Sequence, residues 1–326
     1  MRILMLAGLL TTLAPGAGAN PLDKGLDERF WNYLTDGKIA EVGRTLDLGA
    51  DINRLTKNGY TPLMWAAQDG NLELVRLLLD RGAQINKMHA ELGLTALAVA
   101  VQHLHPEVVA LLLKRGAQPD LHFRGHVSPL MRVVSVTLRE QEEQARVRAI
   151  IDLLFEHGTK TTALDRKKRT VLLRAVRSGN ADTVRHLLNK GVDIHAQDYE
   201  GNNALMLAAQ MGQDELVDVL LASGADLTRN HTCGCSALLL ASERGHTSIV
   251  ERLLAHGAKI DAQNEDGMTA LMFASQKGHT ETVAMLLAKG ADVHVTNKDQ
   301  RTARHLAREH NFGAVDALLM QAGGHL

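Results

Sequence analysis

A repeat of about 33 residues runs through this chain and constrains its fold more than any other feature. The segment TPLMWAAQDGNLELVRLLLDRGAQIN, residues 61–86, aligns without a gap with TALMFASQKGHTETVAMLLAKGADVH, residues 269–294. Units this short cannot bury their apolar faces alone, so neighbouring repeats must stack. The threonine-like first residue of the unit recurs at Thr61, Thr95, Ser128, Thr170, Asn203, Ser236, Thr269 and Thr302.

The glycine of a GA-type turn gives the number of repeats. It recurs at Gly49, Gly82, Gly116, Gly158, Gly191, Gly224, Gly257, Gly290 and Gly323. These positions predict about nine repeats in a single domain over residues 20–326, with capping repeats at 26–53 and 298–323. In the first cap, we expect Phe30, Trp31 and Tyr33 to form a lid over the first core layer.

Each unit is predicted to be a helix–turn–helix followed by an extended turn. Thr61 can cap the first helix with Pro62 at its first position, and Gly70 can end that helix in a left-handed turn. The apolar spacing predicts two buried faces. They are Leu63, Ala66 and Ala67 on the first helix, and Leu74, Leu77 and Leu78 on the second. His246 and His279, which follow helix-ending glycines, are expected to hydrogen-bond neighbouring turns rather than bind metal.

The segments GYTPLMWAAQDGN, NNALMLAAQMGQ and MTALMFASQKGH, each followed by an LL..GA ending, resemble the ankyrin-repeat family. The resemblance covers residues 26–323. It implies an all-α solenoid of helix–turn–helix repeats with projecting β-turn or hairpin loops. It also implies a scaffold that binds another protein through its turn tips and the exposed side of each first helix.

Carried onto this sequence, the resemblance gives a candidate partner-binding surface. Its residues are Tyr60, Gln68, Asp69, Arg124, Arg166, Lys167, Arg169, Arg177, Tyr199, Glu200, Met211, Glu243 and Arg244. The basic run DRKKRT at residues 165–170 lies at its centre and favours a partner with an acidic surface. A solvated turn without a partner is the alternative. The basic residues occupy one turn rather than a long stripe, so nucleic acid is not expected as a ligand.

One repeat, residues 121–160, departs from the pattern. Its step is 42 residues long, it lacks the helix-ending glycine, and it carries a charged insertion at 135–148. We expect both of its helices to be extended into a charged, projecting finger. An elongation that only solvates the surface is the alternative.

The segment HTCGCSAL, residues 231–238, holds both cysteines of the chain. Its glycine falls in register with the tips of other turns, so Cys233 and Cys235 flank a tip. Three interpretations stay open: passive turn thiols, a strained or intermolecular disulfide, and a metal site that includes His231. The metal site is least favoured, because no sequence-local fourth ligand is present.

The N-terminal segment MRILMLAGLLTTLAPGAGAN has the charge, apolar run and small-residue ending of a secretory signal peptide over residues 1–19. It predicts export, most readily to a bacterial periplasm; a cytosolic adaptor is the alternative if these residues are retained. The net charge of −1 gives no global attraction to anionic membranes, and no membrane insertion is expected.

No hydrolase, phosphate-loop or zinc-protease motif is present in the sequence, so neither catalysis nor a cofactor is expected. An immunity protein that neutralises a toxic effector is the function favoured by analogy. Protection against oxidative stress through Cys233 and Cys235 is the second possibility.

Overall fold

The computed structural model of the chain describes residues 21–136, 140–228 and 231–323. The residues 1–19, to which the predicted signal peptide is assigned, lie outside this part. The chain divides into two compact units. The first contains residues up to 124 and residues 149–159, and the second contains 125–148 and the residues from 160 onward. The described residues form 18 helices and no strand.

The first unit begins with three helix pairs. Its helices are α1 (Pro21–Thr35), α2 (Ile39–Asp47), α3 (Pro62–Asp69), α4 (Leu72–Asp80), α5 (Ala96–Gln102) and α6 (Pro106–Lys114). First helices pack on first helices, α1 on α3 and α3 on α5, while α2, α4 and α6 pack in a second layer.

The second unit repeats this two-layer arrangement. Helices α7 (Pro129–Val133), α9 (Val171–Ser178), α11 (Ala204–Gln210), α13 (Ala237–Arg244), α15 (Ala270–Lys277) and α17 (Ala303–Glu309) form one layer. The other layer contains α10 (Ala181–Asn189), α12 (Asp214–Ala222), α14 (Thr247–Ala255), α16 (Thr280–Ala288) and α18 (Gly313–Gln321). Helix α8 (Gln141–Glu156) contributes residues to both units.

The predicted helix-capping role is confirmed at all eight threonine-like positions. The side-chain oxygen of Thr61 accepts a hydrogen bond from the Met64 amide at 3.1 Å, which satisfies a backbone donor that the helix itself cannot pair. The other seven threonine-like residues cap their first helices in the same way. The repeating capping residue therefore sets where each first helix begins.

The buried faces agree with the prediction except at one residue. Leu63, Ala66 and Ala67 are buried, and the two alanines let neighbouring first helices approach closely. On the second helix the buried residues are Leu74, Val75 and Leu78, whereas the prediction placed Leu77 there and Leu77 is half-exposed. The prediction was wrong at Leu77. The inward face of this short helix consists of Leu74, Val75 and Leu78, so Val75 is buried in place of Leu77.

Three histidines connect successive repeats. The Nε2 atom of His105 lies 3.0 Å from the Gln68 carbonyl oxygen, and the corresponding atoms of His246 and His279 lie 3.2 and 2.9 Å from the Gln210 and Glu243 carbonyl oxygens. Each ring pairs with a carbonyl near the end of the preceding first helix, where the helix leaves acceptors unpaired. The expectation that His246 and His279 bond neighbouring turns is therefore confirmed.

The irregular repeat differs from the expected finger. Helix α7 has only 5 residues, so the expectation of an extended first helix is wrong. The β-branched residues Val133, Val134 and Val136 follow its first turn and favour the helix weakly. In addition, the Ser135 hydroxyl donates to the Met131 carbonyl oxygen at 2.8 Å and competes with the next backbone bond.

The second helix of this repeat, α8, is the long one, with 16 residues against 9 in its counterparts. Its added turns contact the next repeat: Gln144 hydrogen-bonds the Asp182 carboxylate, and Arg148 forms an ion pair with the same group at 3.5 Å. Part of the predicted finger is thus attached to α10. Residues 137–139 of the predicted insertion lie outside the described residues.

The aromatic residues of the first repeat pack over the first core layer, as expected from the sequence. Phe30 is fully buried, and Trp31 packs edge-on against Trp65 of the next repeat with ring centroids 6.5 Å apart. Tyr33 is half-buried, with the Lys38 ammonium 5.9 Å from its ring centre. These contacts close the first core layer over the neighbouring repeat.

Replacing Gly70 with alanine should destabilise the protein more than replacing Gly82. Both glycines have positive φ, 74° and 87°, which costs an alanine about 1–2 kcal/mol. Only at Gly70 would the new Cβ also meet a ring, 2.6 Å from His105 atoms, and displacing that ring loses a hydrogen bond of about 1 kcal/mol. Urea unfolding followed by circular dichroism measures both variants. A smaller effect of Gly70→Ala in a His105→Ala background would identify the clash, and equal effects in both backgrounds would contradict it.

Candidate protein-binding edge

Five successive turns of the second unit form one edge, which we call the tip ladder: residues 165–169, 198–202, 231–235, 264–268 and 297–301. Most of these turns begin with Asp or Asn, whose side chain holds the turn closed. The Oδ1 atom of Asp198, for example, accepts the amides of Glu200 and Asn202 at 3.0 and 2.9 Å. Asn264 and Asn297 hold their own turns in the same way.

Each tip is joined to the next by a backbone hydrogen bond. The Tyr199 amide donates to the Lys167 carbonyl oxygen at 3.4 Å, and the Thr232 amide donates to the Glu200 carbonyl oxygen at 3.1 Å. The Glu265 amide donates to the Cys233 carbonyl oxygen at 3.4 Å, and the Lys298 amide donates to the Asp266 carbonyl oxygen at 2.9 Å. The side chains along this edge are therefore presented from a backbone that is fixed before any partner arrives, which lowers the entropy cost of binding.

The fourth position of each tip has a left-handed backbone. At Gly234, φ is 73° and an added Cβ would lie 2.8 Å from the Glu265 amide nitrogen, so both conformation and packing require glycine there. The first and last tips nevertheless carry Lys168 and Gln300 at φ values of 55° and 58°. The basic tip thus holds an additional cation in a conformation that glycine occupies more easily.

The first tip is the centre of positive charge. Arg166, Lys167 and Lys168 are exposed, and none of them forms an ion pair with another described residue. Arg169 differs, because its guanidinium lies 2.7 Å from the Asp165 carboxylate and is largely covered. Of the three central cations that the sequence singled out, the structure therefore leaves Arg166 and Lys167 available to a partner and uses Arg169 to hold the turn.

Asp165 is the buried anchor of this basic tip. Its side chain is 2% exposed and accepts hydrogen bonds from Arg169 and from Arg174, whose Nη1 lies 2.9 Å away. Burial alone would raise the pKa of Asp165, but the bonds from Arg169 and Arg174 outweigh it and lower the pKa to about 2. Asp165 is therefore ionised at neutral pH and holds two arginines in place.

The next tip carries an aromatic residue and acidic charge. Tyr199 is 53% exposed, and its hydroxyl donates to Glu200 at 2.5 Å; this bond lowers the pKa of Glu200 and raises that of Tyr199. Met211, at the end of the first helix in the same repeat, is 42% exposed. An exposed tyrosine and methionine beside charged groups are typical of contact surfaces.

The remaining predicted residues of the second unit lie on first helices. Arg177 and Arg244 are exposed near the ends of α9 and α13. Glu243 is half-buried, with the Lys277 ammonium 3.9 Å away, and its backbone carbonyl pairs with His279.

Four of the predicted residues belong to the first unit. Asp69 and Arg124 are exposed, whereas Tyr60 and Gln68 are half-buried. Tyr60 packs edge-on against His89, with ring centroids 5.3 Å apart. These residues lie on turns and on the end of α3, as the register implied.

Sequence reasoning missed two arginines, Arg132 and Arg174, at the same position of neighbouring first helices α7 and α9. Arg174 donates to the Met131 carbonyl oxygen and the Ser135 hydroxyl at 3.3 and 3.1 Å, besides its bond to Asp165. The Nε atom of Arg132 is buried without a hydrogen-bond partner among the described residues. Both stand four residues after the capping residue, where Trp65 stands in α3, and this register was the signal that could have identified them.

The two cysteines lie together at the third tip. Their sulfur atoms are 2.6 Å apart, both are free thiols, and the Nδ1 atom of His231 lies 3.2 Å from the Cys233 sulfur. Among the described residues, no group of three or more His, Cys, Asp or Glu side chains has the arrangement of a metal site. No described helix is long and apolar enough to cross a membrane.

The pattern described as ankyrin repeats, in three copies, matches residues 35–122, 144–231 and 227–297, which is more than half of the chain. The chain belongs to the ankyrin-repeat family. Ankyrin repeats mediate protein–protein interactions, and proteins of this family are typically non-catalytic scaffolds. The all-helical repeat fold predicted from the sequence is thereby confirmed.

The curated relatives are similar over a short segment. The protein named "Ankyrin repeat, SAM and basic leucine zipper domain-containing protein 1" is 51% identical over 57 residues in Dasypus novemcinctus and 49% identical over 57 residues in Mus musculus. These alignments cover 18% of this chain and 12% of the relative. The chain thus spans about an eighth of the relatives' length.

Replacing Asp165 with asparagine should destabilise the protein by about 2–3 kcal/mol at pH 7, because two largely covered arginines lose their counter-charge. Asparagine can still close the turn, as Asn264 does in the same register. The matched control is Asp198→Asn, which should stay within about 0.5 kcal/mol of wild type. Urea unfolding measures both, and equal losses would contradict the ion-pair explanation.

The same variant predicts a pH dependence with a defined sign. The pKa of Asp165 is lowered in the folded state to about 2, so its stabilisation is complete above the unfolded value of about 4. It is lost as the pH falls from about 4 towards 2. The difference in unfolding free energy between wild type and Asp165→Asn should therefore shrink across this window; a constant difference would contradict the assignment.

Proposed function

We propose that this protein is an exported, non-catalytic scaffold that binds a partner protein with an acidic surface. The tip ladder and the first helices beside it form the contact surface. The observation that carries the proposal is the first tip, where three exposed cations stand on a backbone held by the Asp165 ion pairs. Such a charge accelerates encounter with an acidic surface and disfavours basic partners.

The neighbouring tip adds specificity to this surface. Tyr199 and Met211 supply apolar contact area, while Asp198 and Glu200 place negative charge next to the basic tip. A partner that fits both tips carries an acidic patch flanked by an apolar residue and a basic one. This charge order discriminates between acidic proteins, because like charges face each other in the wrong partner.

The setting of this interaction is part of the proposal. The N-terminal pattern of residues 1–19 supports export to a bacterial periplasm, although the relatives named above are mammalian. In that compartment, a scaffold with a cationic edge suits an immunity protein that holds an acidic toxic effector inactive. Cell fractionation with sequencing of the mature N-terminus tests export, and retention of Met1 in the cytosol would favour a cytosolic adaptor instead.

Reversing the basic tip should abolish partner binding without unfolding the protein. The variant carries Arg166→Glu, Lys167→Glu and Lys168→Glu and leaves Arg169 in place, because Arg169 holds Asp165. Tagged wild-type and variant proteins are used to capture partners from the native envelope fraction, and retained proteins are identified by mass spectrometry. One dominant partner should be retained by the wild type and lost from the variant, and its binding should weaken with added salt.

A matched control changes the net charge equally at a different place. Lys190→Glu, Lys259→Glu and Lys289→Glu alter exposed lysines at or after the ends of second helices. This control should retain the partner. Loss of binding in both variants would show a dependence on net charge alone, and retention in both would place the contact elsewhere. Protection of cells from the captured partner, when both are co-expressed, would separate an immunity protein from an adaptor.

A further inference from the structure

The third tip of the ladder departs from its neighbours at three positions. His231 stands where the other four tips carry Asp or Asn, Cys233 stands where they carry Lys, Glu or Asp, and Cys235 replaces Arg, Asn or Met. His231 still holds the turn, because its Nδ1 accepts the Cys233 amide at 3.3 Å. The scaffold therefore does not require an imidazole and two thiols here, since four neighbouring tips close without them.

These three side chains converge on one point. The Cys233 and Cys235 sulfurs are 2.6 Å apart, so the two thiols are in direct contact across the turn tip. The His231 Nδ1, 3.2 Å from the Cys233 sulfur, accepts the Cys233 amide and therefore carries its lone pair on this side. It is placed to take the Cys233 thiol proton.

The two sulfurs differ in their surroundings. Cys233 is partly exposed at the tip, whereas Cys235 is 5% exposed and contacts the Asn264 amide group at 3.5 Å. Burial, and secondly the contact with Cys233, raise the pKa of Cys235 to about 12, so it stays a thiol at neutral pH. An accessible sulfur beside a base and a covered sulfur behind it are suited to the attacking and resolving roles in thiol–disulfide exchange.

We propose that His231, Cys233 and Cys235 form a thiol–disulfide exchange site that reacts with small-molecule disulfides. His231 takes the proton of Cys233, and the Cys233 thiolate attacks one sulfur of the disulfide RSSR. The RSSR bond breaks, a mixed disulfide forms on Cys233, and the first thiolate leaves and takes the proton from His231. The Cys235 sulfur then attacks the Cys233 sulfur, the second thiolate leaves, and it takes the Cys235 proton. The protein dithiol loses two electrons and two protons, and RSSR becomes two RSH.

Glutathione buffers of graded GSH-to-GSSG ratio test the reaction on the purified full chain. After acid quenching and maleimide labelling, intact mass spectrometry should show conversion from two labelled thiols to none, with the loss of two hydrogens. Glutathione adducts should stay minor in the wild type. Two labelled thiols at every ratio, a stable glutathione adduct, or a disulfide-linked dimer would overturn the proposal.

Single variants separate the two sulfurs. Cys235→Ser should accumulate the mixed disulfide on Cys233, because the resolving thiol is gone. Cys233→Ser leaves the covered, high-pKa thiol, which should react about 10-fold more slowly or worse. Equal rates for the two variants would contradict the assigned roles.

His231→Asn tests the base with the turn preserved. Asn264 closes the following tip with the same residue type, so asparagine keeps the cap and removes only the imidazole. The attack of Cys233 on GSSG should slow by about 10-fold or more. Hydrogen exchange of the Thr232 and Glu265 amides, which bond to the neighbouring tips, reports whether the turn is intact. An unchanged rate would overturn the role of His231, and so would a slower rate that is accompanied by loss of this amide protection.

Discussion

The contact between one repeat and the next is the interaction on which the rest of this structure depends. A pair of 8- or 9-residue helices cannot bury both of its apolar faces, so each face is completed by the neighbouring pair. Alanines such as Ala66 and Ala67 let first helices come close, and His105 spans the remaining gap to the preceding helix end. Because this contact recurs about every 33 residues outside the irregular repeat, it also fixes the spacing of the turns at the edge of each unit.

Much of the fold could be predicted because short-range interactions along the chain determine it. A capping residue, a left-handed glycine and an apolar stripe act within a few residues of their own position, and each recurs in register. The irregular repeat was predicted poorly for the same reason. Its missing glycine suggested a longer first helix, but Ser135 and the surrounding valines end α7 early, and Gln144 then finds Asp182 on another helix. The spacing of residue types predicts neither the competition of the Ser135 hydroxyl for a backbone acceptor nor the contact of Gln144 with Asp182, 38 residues away.

At the candidate site, too, the repeat register predicts which residues lie on the tips but not which contacts they form. Register placed Arg166, Lys167 and Tyr199 on exposed tips, but it treated Arg169 as equal to them. The structure separates these cations, since Arg169 closes on Asp165 while its neighbours face solvent. Which cation pairs and which stays available depends on Arg174, which reaches the same carboxylate from helix α9. A one-dimensional pattern carries no information on that choice.

Different tips of the ladder can carry different side chains because the residues that close the turns are not the ones that face a partner. Four of the five turns are closed by an Asp or Asn side chain and the third by His231, and each tip is linked to the next by one backbone hydrogen bond. A position that leaves those bonds intact can change its side chain at little cost in stability. Lys167, Glu200, Cys233 and Asp266 occupy one such position, and they differ in charge and chemistry while the backbone beneath them is the same. Recognition by charge at one tip and sulfur chemistry at another are therefore compatible with a single scaffold, because stacking and capping are carried by other residues.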